Sequence, residues 1–116
     1  MRRLLRSFAC AFRGVGIASR SRNMIIHLSA AAAVSAAAAL ARIEPWGWAA
    51  VFLCFGLVIA SELVNTAIER LCDLYTAEQS KAVRDVKDIA AGAVLVSAAA
   101  AVAVAAAVFI LGRGKA

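Results

Sequence analysis

The stretch from Ser61 to Leu74, SELVNTAIERLCDL, decides the fold because it places acids at the end of a long apolar run. Its four main polar residues, separated by 3, 4 and 4 positions, are Glu62, Asn65, Glu69 and Asp73. At 100° per residue, this spacing gathers their side chains within about 80° of one another on a helix. The segment therefore predicts a helix with one narrow polar face and an otherwise apolar circumference.

Acids on such a helix need an explanation, since a charge at mid-bilayer costs about 2.5–3.5 kcal/mol on insertion scales. Glu62 and Glu69 also repel each other unless a cation lies between them or one stays protonated. Asn65 and Thr66 have an alternative role as polar contacts between helices. The two acids together favour a divalent metal, and Mg²⁺ held by few carboxylates plus phosphates suits a metal–nucleotide complex.

The composition predicts a membrane protein. The chain has 116 residues, which is enough for a single domain over 1–116, and 64% of them are hydrophobic. A soluble globular domain has about 45–50% apolar residues, and the excess here is alanine rather than aromatic residues. The cysteines (Cys10, Cys54 and Cys72) are odd in number and widely spaced, so they predict neither a disulfide framework nor a metal cluster.

Long apolar runs set the predicted architecture, which is all-α. Three transmembrane helices are predicted over about 24–41, 48–68 and 89–111, with a polar loop over 69–88. Trp46 and Trp48 suit a short turn at a membrane interface. Residues 3–20 carry apolar side chains at helical spacing among arginines, which predicts an amphipathic helix on the membrane surface; the apolar positions are Leu5, Phe8, Phe12 and Val15.

The distribution of charge predicts the orientation. The net charge is +6, and six arginines lie within the first 22 residues, well before the first acid, Glu44. A basic arm that binds nucleic acid has a similar charge, but in a chain this apolar the arginines indicate a segment facing cytoplasmic, anionic lipid. The bases of the 69–88 segment place it on the same side. The 42–47 turn then lies outside. Few bases occur in the remaining segments: the turn has Arg42, and the tail has Arg113 and Lys115.

A second polar cluster precedes the third predicted span. Lys87 and Asp88, within RDVKDIAAG, lie where that helix enters the bilayer, on the same side of the membrane as Glu69. Lys87 could bind phosphate as a point charge, or it could be an ordinary residue flanking the interface. The spacing alone leaves both roles open.

These residues resemble the signature of a known family. ELVNTAIERLCDL is similar to the E-x-x-N-[ST]-A-[IL]-E-x-x-x-D motif of the bacterial integral-membrane diacylglycerol and undecaprenol kinases, and Lys87-Asp88 follow at the family's distance. The resemblance covers nearly the whole chain. It implies a homotrimer in the bacterial inner membrane, with active sites between subunits at the cytoplasmic face, where ATP phosphorylates a lipid alcohol.

The resemblance also implies roles for individual residues. Glu62 is similar to the general base that takes the lipid hydroxyl proton, and Glu69 to a ligand of the Mg²⁺ that accompanies ATP. Asn65 corresponds to a positioning group in the substrate and nucleotide site. Lys87 corresponds to a contact with the polyphosphate, and Asp88 to support on the nucleotide side. The implied partners are ATP, a lipid alcohol, membrane lipids and two further copies of the chain, without nucleic acid.

The sequence departs from the family at two places. Ser21 stands where family members often carry a glutamate that is a second metal ligand, and Glu78-Gln79-Ser80 replaces the usual EYH of the cytoplasmic loop. Both changes put full catalytic competence in question. RNMIIHL and KDIAAGAVLV resemble the undecaprenol kinase branch, while His27 in the first string has an equally good role as a polar contact at the span entrance.

Two other functions fit parts of the sequence. A small proton-coupled exporter also places a glutamate in a short membrane helix, but it predicts an acid nearer mid-bilayer and four spans. A catalytically weakened relative of the kinases is consistent with Ser21. The sequence does not decide between undecaprenol and diacylglycerol as the lipid.

Overall fold

The computed structural model describes residues 1–113, which form four helices; Lys115 of the tail lies outside the described residues. In chain order they are α1 (Arg2–Ala18), α2 (Arg22–Ala41), α3 (Pro45–Tyr75) and α4 (Lys81–Leu111). Within the described residues, α2, α3 and α4 are each long and apolar enough to cross a membrane. This confirms the all-helical prediction and the prediction of three spanning candidates.

Local sequence explains where the helices begin and end. Ser21 and Ser80 are the N-caps of α2 and α4, and each hydroxyl accepts a hydrogen bond from a backbone N–H three residues later. Pro45 opens α3, where its missing N–H costs nothing. Arg42 ends α2 in the left-handed region, with φ of 52°. That conformation lets its backbone N–H reach the last carbonyls of the helix.

The structure differs from the sequence prediction over the polar segment 69–88. α3 continues through this segment to Tyr75 and α4 begins at Lys81, so the connection is only 76–80. Charged residues do not end a helix when they share one face, because the backbone hydrogen bonds continue and the side chains reach water. The helices therefore exceed the predicted spans, most of all at the 69–88 end.

Helices α3 and α4 form an antiparallel hairpin that keeps one register along its length. At one end the backbone N–H of Glu44 donates to the carbonyl of Gly112 at 2.8 Å. In the middle, the hydroxyls of Ser61 and Ser97 lie 2.8 Å apart. α2 packs against the same hairpin and runs antiparallel to α3.

The apolar core lies at the end of the bundle that contains the 42–47 turn. Its buried residues are Ala38, Ile43, Val51 and Val108. Large apolar side chains elsewhere on the helices face outward, with Phe52, Val96 and Ile110 all more than half exposed. An apolar exterior with a small core is the arrangement expected of helices surrounded by lipid.

Gly47 is the tightest point of this core, which generates a stability prediction. A Cβ at this position would lie 2.9 Å from Val108 Cγ1, and Val108 is fully buried. We expect Gly47→Ala to lower the free energy of unfolding by about 1–3 kcal/mol, measured by thermal unfolding in detergent. Gly56→Ala is the control, because a Cβ there meets nothing within 4 Å. Equal effects of the two substitutions would contradict the packing described here.

Candidate functional site

The polar face of α3 changes steadily from buried to exposed along the helix. Glu62 and Asn65 are each only 2% exposed, Glu69 is half-buried, and Asp73 is exposed. All four positions lie within one uninterrupted helix, so the spacing that predicted a single face is realised. The face begins in the interior of the bundle and ends where α3 reaches its polar terminus.

Glu62 is the buried acid of this face, and His27 of α2 is its neighbour. His27 Nε2 lies 3.9 Å from Glu62 Oε2, and the imidazole is partly exposed. A buried carboxylate is costly unless a polar or cationic group faces it, since burial removes its hydration. The sequence predicts only a general polar contact for His27. The feature that could have indicated its contact with Glu62 is that a titratable residue lies inside an apolar run.

Asn65 lies one turn after Glu62 and contacts the next acid. Its Nδ2 donates to Glu69 Oε1 at 3.4 Å, which is at the long end for a hydrogen bond. Its Oδ1 is buried and has no hydrogen-bond partner among the described residues. A buried acceptor without a partner is unfavourable. The amide is therefore positioned to accept a hydrogen bond or to contact a cation.

An apolar groove runs beside this amide between α3 and α4. It has a volume of about 530 Å³, and Asn65 and Ser61 supply its polar atoms. The rest of its lining is aliphatic and includes Leu57, Val64 and Ile89. A groove of this composition suits a hydrocarbon chain better than a polar metabolite.

Asp73 and Lys87 join the exposed end of the polar face to α4. Lys87 Nζ donates to Asp73 Oδ1 at 2.6 Å, with side chains that are 27% and 68% exposed respectively. The structure thus places Lys87 about one helical turn beyond Glu69 along the face. Asp88 is exposed and forms no ion pair within residues 1–113.

Ser21 has a definite structural role. Its hydroxyl accepts a hydrogen bond from the Met24 backbone N–H at 3.1 Å and caps α2. The serine is partly exposed and lies two turns before His27 on the same helix. The position where the family often has a metal-binding glutamate is therefore used here to start a helix.

The donors in one chain are few. Within residues 1–113, no three His, Cys, Asp or Glu side chains come together in a way that could hold a metal ion. Two oxygen donors occur on the polar face, the carboxylate of Glu69 and the unpartnered Oδ1 of Asn65, whose Nδ2 contacts Glu69. Both atoms are hard oxygen donors of the kind Mg²⁺ prefers, but Mg²⁺ at this site would need further ligands.

Comparison with known proteins gives two curated relatives and one family. The family described as prokaryotic diacylglycerol kinase matches residues 9–109. Undecaprenol kinase of Bacillus subtilis (strain 168) is 38% identical over 99 residues, which cover 84% of this chain and 80% of the relative. Diacylglycerol kinase of Synechocystis sp. is 42% identical over 103 residues, covering 87% of this chain and 59% of that relative. No solved structure matches the chain.

The ion pair between Asp73 and Lys87 generates a prediction about its strength. Because Asp73 is well exposed, we expect a coupling free energy of only about 0.2–1 kcal/mol. A double-mutant cycle with Asp73→Asn and Lys87→Met, followed by unfolding in detergent, measures it. The Lys81–Asp85 pair, also exposed, is the reference. A coupling free energy above about 2 kcal/mol would contradict this expectation and would mean that Asp73 and Lys87 form a strong ion pair.

Proposed function

The chain belongs to the prokaryotic diacylglycerol kinase family, and we propose that it transfers the γ-phosphoryl group of ATP to the hydroxyl of a membrane lipid alcohol. The observation that carries this proposal is the polar face of α3, which runs from a buried carboxylate at Glu62 to an exposed carboxylate at Asp73, where Lys87 of α4 is paired with it. One end suits a proton acceptor next to lipid, and the other suits the phosphates of a nucleotide.

The proposed acceptor is undecaprenol, with diacylglycerol as the alternative. The two relatives are named for these lipids, and each lipid carries a hydroxyl on long apolar chains. The strings RNMIIHL and KDIAAGAVLV resemble the undecaprenol branch. The open groove between α3 and α4 would accept a hydrocarbon chain of either lipid next to Asn65.

In the proposed reaction Glu62 acts as the general base. The lipid hydroxyl gives its proton to the Glu62 carboxylate while its oxygen forms a bond to the γ-phosphorus. The bond from the γ-phosphorus to the bridging oxygen of ADP breaks, and that oxygen keeps the electron pair. Such transfer depends mainly on alignment and on charge neutralisation. His27, 3.9 Å from Glu62, would keep the carboxylate oriented in an apolar setting.

The remaining polar residues would handle the nucleotide. Glu69 would bind Mg²⁺, with the free Oδ1 of Asn65 as a nearby donor, and the phosphates would complete the ligand set. When bound, Mg²⁺ neutralises charge on the polyphosphate. Lys87 would exchange Asp73 for phosphate oxygens, and Asp88 would support the nucleotide side.

The setting of this reaction is also part of the proposal. α2, α3 and α4 would span the bacterial inner membrane, with the amino terminus on the cytoplasmic side. α1 would lie on the membrane surface as an amphipathic helix whose apolar side includes Phe8 and Phe12. The proposed assembly is a homotrimer in which neighbouring copies would complete each site, as the resemblance of the Glu62–Asp73 motif to the family implies.

The first test is Glu62→Gln in a radiolabel assay with Mg-ATP and several lipid alcohols. We expect wild-type protein to phosphorylate undecaprenol, and Glu62→Gln to lower kcat by about 100-fold or more, because the amide cannot accept the proton. The reference is Glu78→Gln on the 76–80 connection, which is exposed and outside the polar face. Undiminished turnover in Glu62→Gln would exclude Glu62 as the general base.

The same assay separates the kinase from the alternatives. No lipid phosphate from the wild-type protein with any alcohol would favour a non-catalytic relative of the kinases. Proton flux stimulated by a transported compound, without consumption of ATP, would favour the exporter that a buried glutamate also suits.

A second prediction concerns metal binding at Ser21. We expect Ser21→Glu to lower the Mg²⁺ concentration for half-maximal activity by about 3-fold to 10-fold, because a carboxylate is a better ligand than a hydroxyl. Ser21→Ala removes the helix cap without adding a ligand. It should cost about 1 kcal/mol of stability and leave the Mg²⁺ requirement unchanged. No shift in Ser21→Glu would contradict a metal role for this position, and a shift in Ser21→Ala would contradict the expectation that the serine hydroxyl only caps the helix.

A further inference from the structure

Three arginines surround one hollow at the junction of α1 and α3. Arg13 comes from α1, Arg20 from the turn between α1 and α2, and Arg70 from α3, and the hollow has a volume of about 420 Å³. Gly16 and Ile17 complete the lining. Arg20 follows the end of α1 by two residues, and it lines the same hollow as Arg13 of that helix. The hollow therefore receives guanidinium groups from two helices and from the turn after α1.

This concentration of positive charge has no acid opposite it. The residues that line the hollow include no Asp or Glu. Within residues 1–113, none of the three arginines forms an ion pair, since the pairs found there involve His27, Lys81 and Lys87. Guanidinium groups gathered in this way repel one another, and a bound anion removes the repulsion.

A second hollow adjoins the first and differs from it in chemistry. It is an apolar groove of about 390 Å³ between α1 and α3, and it shares Ile17 and Arg70 with the basic hollow. Its remaining lining is aliphatic or small, except for one threonine: Ala11, Gly14, Val15, Ala18, Leu63, Thr66 and Ala67. The basic hollow matches the anionic headgroup of an amphiphile, and the adjoining apolar groove matches its hydrocarbon chain.

Both hollows are separate from the polar face of α3. Neither is lined by Glu62, Asn65 or Glu69. On the helix, Leu63, Ala67 and Arg70 lie about a quarter turn or more around from those residues, while Thr66 of the groove lining lies about 40° from Glu62. A ligand bound here would thus be neither the phosphate donor nor the reacting alcohol of the proposed kinase.

We propose that this composite hollow binds one anionic glycerophospholipid of the surrounding membrane. Arg13, Arg20 and Arg70 hold the headgroup phosphate, which guanidinium groups recognise through paired hydrogen bonds. One acyl chain lies in the adjoining groove. A free phosphate or a nucleotide leaves the apolar groove empty, and a zwitterionic lipid brings a positive group to a site that already contains three arginines.

This lipid has a structural consequence for α1. Ala18 is the only residue of α1 that is buried in the described part of the chain, and α1 touches the rest of the fold mainly through α3. A phosphate bound by arginines of both helices joins them by ionic contacts. Anionic lipid therefore stabilises the docked position of α1, whether or not the protein phosphorylates a lipid.

The test measures binding without ATP, so its result does not depend on the proposed kinase activity. Purified protein in nonionic detergent is titrated with phosphatidylglycerol, and the rise in Tm gives the affinity. We expect phosphatidylglycerol to raise Tm, and phosphatidylcholine with the same acyl chains to have little effect. Glycerol phosphate and inorganic phosphate serve as the free-anion arm and should have little effect at the same concentration.

Matched variants locate the site. Arg13→Gln, Arg20→Gln and Arg70→Gln combined should weaken phosphatidylglycerol binding by about 100-fold, as three basic contacts are lost. Arg2→Gln, Arg3→Gln and Arg6→Gln combined change the net charge equally but lie outside both hollows. They should lower the affinity by less than about 5-fold.

A further variant tests the groove without changing charge. Gly14 lines the groove, and a Cβ there meets nothing within 4 Å, so Gly14→Leu fills the groove while the helix stays intact. The substitution should lower the affinity for phosphatidylglycerol by about 10-fold, and it should leave the Tm of the lipid-free protein nearly unchanged. The proposal is overturned by equal losses in the two arginine triples, by equal effects of the two lipids, or by an equal effect of inorganic phosphate.

Discussion

The buried carboxylate of Glu62 is the constraint on which the rest of this structure depends. An ionised acid in an apolar bundle is tolerated only when another polar group faces it, and His27 of α2 is that group, 3.9 Å away. The distance fixes how α2 and α3 are aligned. Ala38 and Val51, buried together in the apolar core, lie eleven residues from His27 and Glu62 respectively. Eleven residues are about three helical turns, or about 16 Å, so one face of each helix makes both contacts.

Much of this arrangement is predictable because it is local or periodic. The 3, 4, 4 spacing of the α3 polar residues gives one face on any regular helix, and α3 is regular from Pro45 to Tyr75. The uncharged runs predict the central parts of α2, α3 and α4, because a single segment that crosses lipid must form all its backbone hydrogen bonds internally, as a long helix does. The residues of the site were identified from a motif, and the structure adds where they lie: Glu62 and Asn65 inside, Asp73 outside.

Other features depend on contacts between distant segments, which periodicity does not contain. The pairing of His27 with Glu62 joins residues on two helices and follows from the packing of the apolar core. The short 76–80 connection was missed because the charges of 69–88 indicated a loop, although Glu69 and Asp73 continue the polar face of a helix. The resemblance compares Ser21 with a metal ligand, and the structure adds that its hydroxyl caps α2, a role set by the backbone of the next three residues.

In the proposed function, the gradient of burial along α3 would separate the place where the lipid hydroxyl reacts from the place where the phosphates bind. An acid that must accept a proton from a lipid hydroxyl works best where water is excluded, and Glu62 is 2% exposed. A cation that must bind and release a polyphosphate needs access to solvent and only a weak partner, and Lys87 has an exposed one in Asp73. Three turns of continuous helix join Glu62 to Asp73, and Lys87 of α4 is paired with Asp73, so the backbone of α3 sets the separation of Glu62 from this ion pair. A loop over 69–88 would not fix that distance. The extension of α3 beyond the predicted span is therefore what would allow a lipid hydroxyl and a terminal phosphate to meet in a defined geometry.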